Sequence, residues 1–351
     1  MQSFSNLIDQ VLSPRRILGH TLSYLSLFTS SVRAGSTRLI VDTDIFSDVD
    51  DAAALLLAST LPNVSLLAVN VNVGSSYSPL AASAILNHYG HPNISIGLRR
   101  PYTNESFFDA WAYELGEYTS KVAYHWPGGS LPWFQPEKAW DPVGLYRKTL
   151  AESADGSVTI ASIGFFKNLS GLLNSTADKY SALDGYELVG KKVQKLAVMG
   201  GGYPSGHEFN FWGDNSLTTA HVVNTWPRTV PVTFLGTEVG EVVLTGARLT
   251  REGPKNDPVK AAYKWYVGYD TTRQSWDPLT VAYASLGLGN WFEYGNTCGY
   301  NHVFANGSNV WIYDEGVKNQ HYLRLKIDNE TVAEELDELY LKGARLFDNE
   351  Q

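Results

Sequence analysis

The sequence predicts an α/β fold, an open and mostly parallel sheet flanked by helices in a single domain. Three observations lead there. From Thr37 onward, short apolar runs rich in branched residues alternate with longer amphipathic stretches. That alternation is the pattern of repeated βα units, which place helices on both faces of a parallel sheet. The polar motifs also fall directly after the apolar runs, at the strand carboxyl ends where open α/β sheets bind ligands. With 351 residues, 44% of them hydrophobic, the chain can bury the core this needs.

In chain order, Leu-Ile-Val at 39–41 reads as a buried strand, and the Ala- and Leu-rich stretch 51–59 as the helix after it. Residues 64–73, with Val or Leu at most positions, form the next strand, followed by a helix over 80–89. Residues 102–140 are aromatic and polar, with Pro127-Gly128-Gly129 and Pro132-Trp133-Phe134, and read as an excursion or lid over the site. Strands at 158–163, 195–199 and 230–235 alternate with helices at 169–173 and 217–224. A second excursion, 276–311, is rich in Gly, Asn and aromatics.

The N-terminus differs in character. Arg15-Arg16, an apolar stretch over 17–28, and Val32-Arg33-Ala34-Gly35 follow the order of a secretory signal peptide. The alternative is an amphipathic or disordered extension. The expected organisation is therefore a segment 1–35 ahead of a domain 36–351, with a secreted, extracellular location. Seven Asn-X-Ser/Thr triplets, at Asn63, Asn93, Asn104, Asn168, Asn174, Asn306 and Asn329, lean the same way. No apolar run is long enough to span a bilayer, so no membrane association is expected after processing. A net charge of −9 argues against a nucleic-acid backbone as partner. Cys298 is the only cysteine, which excludes an intrachain disulfide and a cysteine-based zinc site.

The densest chemistry is Asp42-Thr43-Asp44-Ile45-Phe46-Ser47-Asp48-Val49-Asp50-Asp51, five carboxylates in ten residues between a strand and a helix. So many like charges raise one another's pKa unless a hard divalent cation joins them. Asp42 and Asp44, two apart at a strand end, are expected to point the same way. Asp48, Asp50 and Asp51 fall where a helix begins and its dipole favours negative charge, though a cap alone needs one Asp. A second cluster sets Met199-Gly200-Gly201-Gly202 before Glu208-Phe209-Asn210, an acceptor and a mixed donor–acceptor suited to sugar hydroxyls. A third is Trp276-Asp277-Pro278-Leu279, which by itself reads as an N-cap Asp with Pro at the first helical position.

Taken together and in this order, Asp42-Thr43-Asp44, Asp50-Asp51-Ala52, Met199-Gly200-Gly201, Glu208-Phe209-Asn210 and Asp277-Pro278-Leu279 resemble the inosine–uridine-preferring nucleoside hydrolase family. The resemblance spans about residues 39–280. It implies a Rossmann-like nucleoside hydrolase fold and a calcium ion (Ca2+) used to hydrolyse the N-glycosidic bond of ribonucleosides. It assigns calcium ligation to Asp44, Asp51 and Asp277, with the backbone carbonyl of Lys167 as a further ligand. Asp44 would double as the base that takes a proton from the calcium-bound water. Asp50, Glu208 and Asn210 would hold the ribose, with Met199, Asn72 and Trp276 as further substrate contacts. The implied partner is a small-molecule ribonucleoside; family members also associate as homo-oligomers.

The chain departs from the family pattern in places. Trp276 stands where a His often precedes the last Asp, and reads either as a core aromatic or as a ring that stacks on the base. His125 and Trp126 are alternative leaving-group contacts. The Asp-rich loop is two residues longer than usual and carries Asp48 as an extra acid. An Asn expected after the second strand maps to Asn72, with Ser75 as the alternative. Two other classes compete: a nucleoside- or sugar-binding protein without turnover, and a magnesium phosphatase of the haloacid dehalogenase type, which leaves Glu208-Phe209-Asn210 unexplained.

Overall fold

Successive branched apolar residues leave a strand no polar face, and such a strand belongs inside a sheet with neighbours on both edges. In the computed structural model, which describes residues 36–46, 48–106 and 114–348, β1 (Thr37–Thr43) occupies such a place. It pairs in parallel with β2 (Val64–Val71) on one side and β4 (Val158–Ile163) on the other. The remaining strands of this eight-stranded sheet are β3 (Ser95–Leu98), β5 (Val193–Met199), β6 (Val232–Leu235), β7 (Phe292–Tyr294) and β8 (Gln320–Leu325), and two smaller sheets lie outside it. Their order is β7-β8-β6-β5-β4-β1-β2-β3, parallel throughout except the edge pair β7–β8.

Alternation along β1 divides the core between the two faces. Leu39 and Val41 pack with the helices Asp50–Thr60, Tyr77–His88, Trp276–Leu286 and Asn329–Arg345. Ile40 packs on the other face with Pro142–Ala151, Lys167–Leu173, Gly185–Lys192 and Ser216–Thr225. Each fully buried Leu, Ile or Val contributes about 1.5–3 kcal/mol.

The excursion 102–140 contains the helix Thr119–His125 and returns to the sheet edge. There Trp140 N donates to Ile96 O at 2.9 Å, and Arg100 holds Ala139 O at 2.8 Å. The region 276–311 is more regular than its composition suggests, since it opens with the helix Trp276–Leu286. Ser275, not Asp277, is the N-cap of that helix, so Asp277 sits inside its first turn. The signal-like segment 1–35 lies outside the described residues. No described helix is long and apolar enough to cross a membrane.

Candidate active site

Strand β1 stops at Thr43, and the next residues turn before a helix begins at Asp50. Asp42, still in the strand, accepts hydrogen bonds from Asn72 Nδ2 at 2.6 Å, Tyr146 Oη at 2.7 Å and Asn168 Nδ2 at 3.3 Å. Burial nevertheless pushes it up to about 7. Asp44, past the strand end, joins a different group. Its carboxylate and those of Asp51 and Asp277 all bring an oxygen within 4.8 Å of one another, and all three are buried. The two aspartates expected to act side by side thus part company, because strand alternation ends between them.

Neighbouring elements hold this trio. Thr43 Oγ1 donates to Asp51 Oδ1. Asp50 Oδ2 accepts the backbone N–H groups of Trp276 (3.0 Å) and Asp277 (3.1 Å), capping the helix that presents Asp277. The turn after β4 presses on Asp44: a Cβ on Gly164 would lie 2.5 Å from Asp44 Oδ1 and 2.6 Å from its backbone N. Three residues further on, Lys167 opens the next helix with its side chain exposed. Asp48, the extra acid, forms a fork with Arg273 through Nε at 3.0 Å and Nη2. That guanidinium lies 5.2 Å from the Trp276 ring centroid.

Burial and mutual repulsion dominate the electrostatics. Asp44 is raised well above the usual carboxylate range by burial and then by Asp50. Asp51 is raised by burial, Asp44 and Asp50, and Asp277 by burial, Asp50, Asp51 and Asp44. Burial, with help from Asp48, pushes Asp50 to about 8. An all-oxygen donor set under this repulsion fits a hard divalent cation, whose charge reverses the conflict.

Across the cleft, Gly201 turns at φ +78°, a conformation glycine adopts without strain. Its N–H donates to Glu208 Oε2 at 3.1 Å, while Glu208 Oε1 accepts from Asn210 N at 2.8 Å. Burial outweighs these bonds and lifts Glu208 to about 7. Its charge adds a small upward push on the Asp44 carboxyl. Asn210 Nδ2 reaches Met199 Sδ at 3.1 Å and Met199 O at 3.4 Å. Asn72 is buried, with Oδ1 accepting from Phe165 N at 3.1 Å, so its amide is engaged by the protein at both ends. Ser75, the alternative, accepts from Tyr77 N at 3.2 Å. The Trp276 indole N–H donates to Thr237 O at 2.8 Å and the ring is half-buried. His125 is exposed and stacks on Trp265, outside the residues that line the cleft over Asp44.

That cleft, about 600 Å³, is lined by Asp44, Phe46, Phe165 and Phe209, with Arg99 and Asp214 at its wall. Arg99, Arg273 and Asp214 escape a sequence-based search. None belongs to a short motif, and Arg273 meets Asp48 across 225 positions.

Fold and site define a class: a mostly parallel α/β protein with a buried cluster of three carboxylates, able to hold a cation, at the carboxyl edge of its sheet. Within that class the chain belongs to a family, since the profile described as "Inosine-uridine preferring nucleoside hydrolase" matches residues 39–334. Among solved structures it is similar to a plant nucleoside hydrolase, PpNRh1, at TM-score 0.63 and 18% identity, covering 87% of this chain and 99% of that one. It is similar to the inosine-uridine preferring nucleoside hydrolase from Bacillus anthracis at TM-score 0.59 and 16% identity, covering 88% and 99%. The type III effector protein XopQ, solved with adenosine diphosphate ribose, matches at TM-score 0.64 and 15% identity, covering 89% and 95%. At these identities the likeness is one of fold. No curated protein sequence matches the chain.

Proposed function

We propose that the protein hydrolyses the N-glycosidic bond of ribonucleosides, releasing ribose and the free base, with calcium as its metal. The observation that carries this is the convergence of Asp44, Asp51 and Asp277 in one buried space that also feels the charge of Glu208. A divalent cation would be held by these three, with the Lys167 carbonyl as a further ligand, and would supply Lewis acidity toward water and the ribose hydroxyls. Asp44 accepts the proton of the attacking water. Asp50 and Glu208 accept from ribose hydroxyls, and Asn210 offers Oδ1, since Met199 engages its Nδ2. The carboxylates stabilise positive charge that develops on the ribose as the base departs. Trp276, held by Thr237 and beside Arg273, gives the base an aromatic neighbour.

Ribose release from inosine, guanosine, adenosine, uridine and cytidine tests this, with chelator and then calcium added back. Chelator-sensitive release restored by calcium is the expected result. No release from any nucleoside, with calcium bound and the protein folded, would move the reading to a nucleoside-binding protein without turnover.

We also propose that the chain is exported and glycosylated. Supporting this, Asn63, Asn93, Asn104, Asn174 and Asn306 are exposed and Asn329 is half-buried, whereas Asn168, beside the site, is buried and bonded to Asp42. A glycosidase-sensitive mass excess on protein recovered from the medium of secreting cells is expected. A mass equal to the bare sequence counts against it.

A further inference from the structure

One wall of the cleft over Asp44 has no part in the chemistry above. Arg99 directly follows β3, and Asp214 lies just beyond the short helix Phe209–Trp212. Arg99 Nη1 donates to Asn72 O at 3.1 Å and pairs with Asp214 Oδ2 at 2.8 Å. Asn72 is itself anchored by Asp42 and the Phe165 N–H. The guanidinium is therefore held by a framework of buried strand ends. Nη1 donates to Asn72 O and faces the Asp214 carboxylate, while Nη2 and Nε form no hydrogen bond among the described residues, so their three N–H donors remain for a ligand. Both side chains retain about a fifth of their exposure, and Phe165 and Phe209 stand beside them with ring centroids 5.7 Å apart. An oriented cation with unused donors, beside aromatic rings and open to the same space as Asp44, is suited to a flat, electron-rich ligand.

We infer that Arg99 is the electrophile that stabilises the departing nucleobase. This rests on the hydrolase reading. In the reaction the C1′–N bond breaks and its electron pair goes to the base nitrogen, while a water oxygen bonds to C1′ and gives its proton to Asp44. Negative charge builds on the base, and the free edge of Arg99 donates to a ring nitrogen or carbonyl oxygen as it does so. A guanidinium does not surrender its proton, so Arg99 stabilises the base anion electrostatically and solvent protonates it on release. Asp214 fixes the fork without occupying the free edge. Purines with a 6-oxo group present two acceptors, N7 and O6, in the spacing that a guanidinium binds, whereas the 6-amino group of adenosine presents a donor.

The test compares inosine with 4-nitrophenyl β-D-ribofuranoside, whose nitrophenolate leaves without assistance. For Arg99→Gln, the ratio of kcat values, inosine over aryl riboside, is expected to fall by about 10²-fold, the loss typical of one oriented donor. The preference for inosine over adenosine falls with it. A parallel loss on both substrates would mark Arg99 as merely structural and overturn the inference, as would an unchanged ratio. Turnover of the aryl riboside by the variant also shows that it folds. If the unsubstituted protein hydrolyses neither these compounds nor any nucleoside of the panel above, the hydrolase reading fails and the inference with it; turnover of other nucleosides but not of inosine overturns the inference alone.

Discussion

On the proposed mechanism Asp44 would be both a metal ligand, which wants a full negative charge, and a proton acceptor, which wants affinity for a proton. Its surroundings reconcile the two. Burial and Asp50 raise its proton affinity, while a cation shared with Asp51 and Asp277 would favour its ionised form. Asp44→Asn keeps the shape and removes the basic oxygen. Its kcat for the best nucleoside is expected to fall by about 10³-fold at saturating calcium, a typical loss for a positioned base. Activity within tenfold of the parent protein would deny Asp44 that role. Glu208 makes a separate prediction. Its carboxyl is raised to about 7, so it becomes protonated as pH falls through that value and loses acceptor capacity for a ribose hydroxyl. KM should therefore rise as pH drops from about 8 to about 6, and Glu208→Gln should raise KM and flatten the dependence. A KM for the parent protein that stays level over that span would remove Glu208 from ribose binding.

At the scale of elements, the Asp-rich turn and the Trp276–Leu286 helix hold each other in place. Asp50 caps that helix, and Arg273, three residues before it, neutralises Asp48. Arg273→Met leaves Asp48 beside Asp50 without its counter-charge. Stability should fall by about 3 kcal/mol, the low end for breaking a buried pair because Asp48 keeps some exposure. Adding Asp48→Ala should recover much of that loss, and denaturant unfolding of both single variants and the double variant measures it. Equal losses in the single Arg273→Met and the double variant would deny the coupling. The same geometry explains what the sequence could disclose. The Asp44–Asp51 motif and the strand Val158–Ile163 are written in consecutive residues, so periodicity and charge density expose them. Strand Ser95–Leu98 has four residues, one of them Gly97, where a Cβ would lie 2.0 Å from Asn70 Oδ1; nothing local marks it as a strand. Gln320–Leu325 is disguised by its polar residues. The helix Asn329–Arg345 was within reach, since Val332, Leu336 and Tyr340 recur every four residues behind the Asp328 cap. The counter-charge of Asp48 and the anchoring of Arg99 exist only after folding, because their partners, Arg273 and Asp214, lie far along the chain.

For the whole molecule, the carboxylate cluster is both a joint and a liability. It ties the turn after β1 to a helix 227 positions away, the separation of Asp50 and Asp277, and buries charges that repel. Without a cation the folded state prefers these groups protonated: Asp50 is raised to about 8, and Asp42 and Glu208 to about 7. The unfolded chain titrates them in the ordinary carboxylate range, so between that range and about pH 8 the folded state holds more protons. The stability of the metal-free protein should therefore fall as pH rises through this window. Cation binding requires the deprotonated ligands and opposes that fall, so the gain on adding calcium should grow with pH. At a free calcium concentration about 100 times Kd the gain is about 2.7 kcal/mol. At about 1.4 °C per kcal/mol for a chain of 351 residues, Tm should rise by about 4 °C over chelated protein. Thermal unfolding with chelator and with calcium, at pH 6 and pH 8, measures it, and the shift should be larger at pH 8. Asp277→Asn should remove most of it, because two carboxylates remain where three held the ion. A calcium shift that is the same at both pH values, or that survives Asp277→Asn, would place the bound ion somewhere other than between Asp44, Asp51 and Asp277.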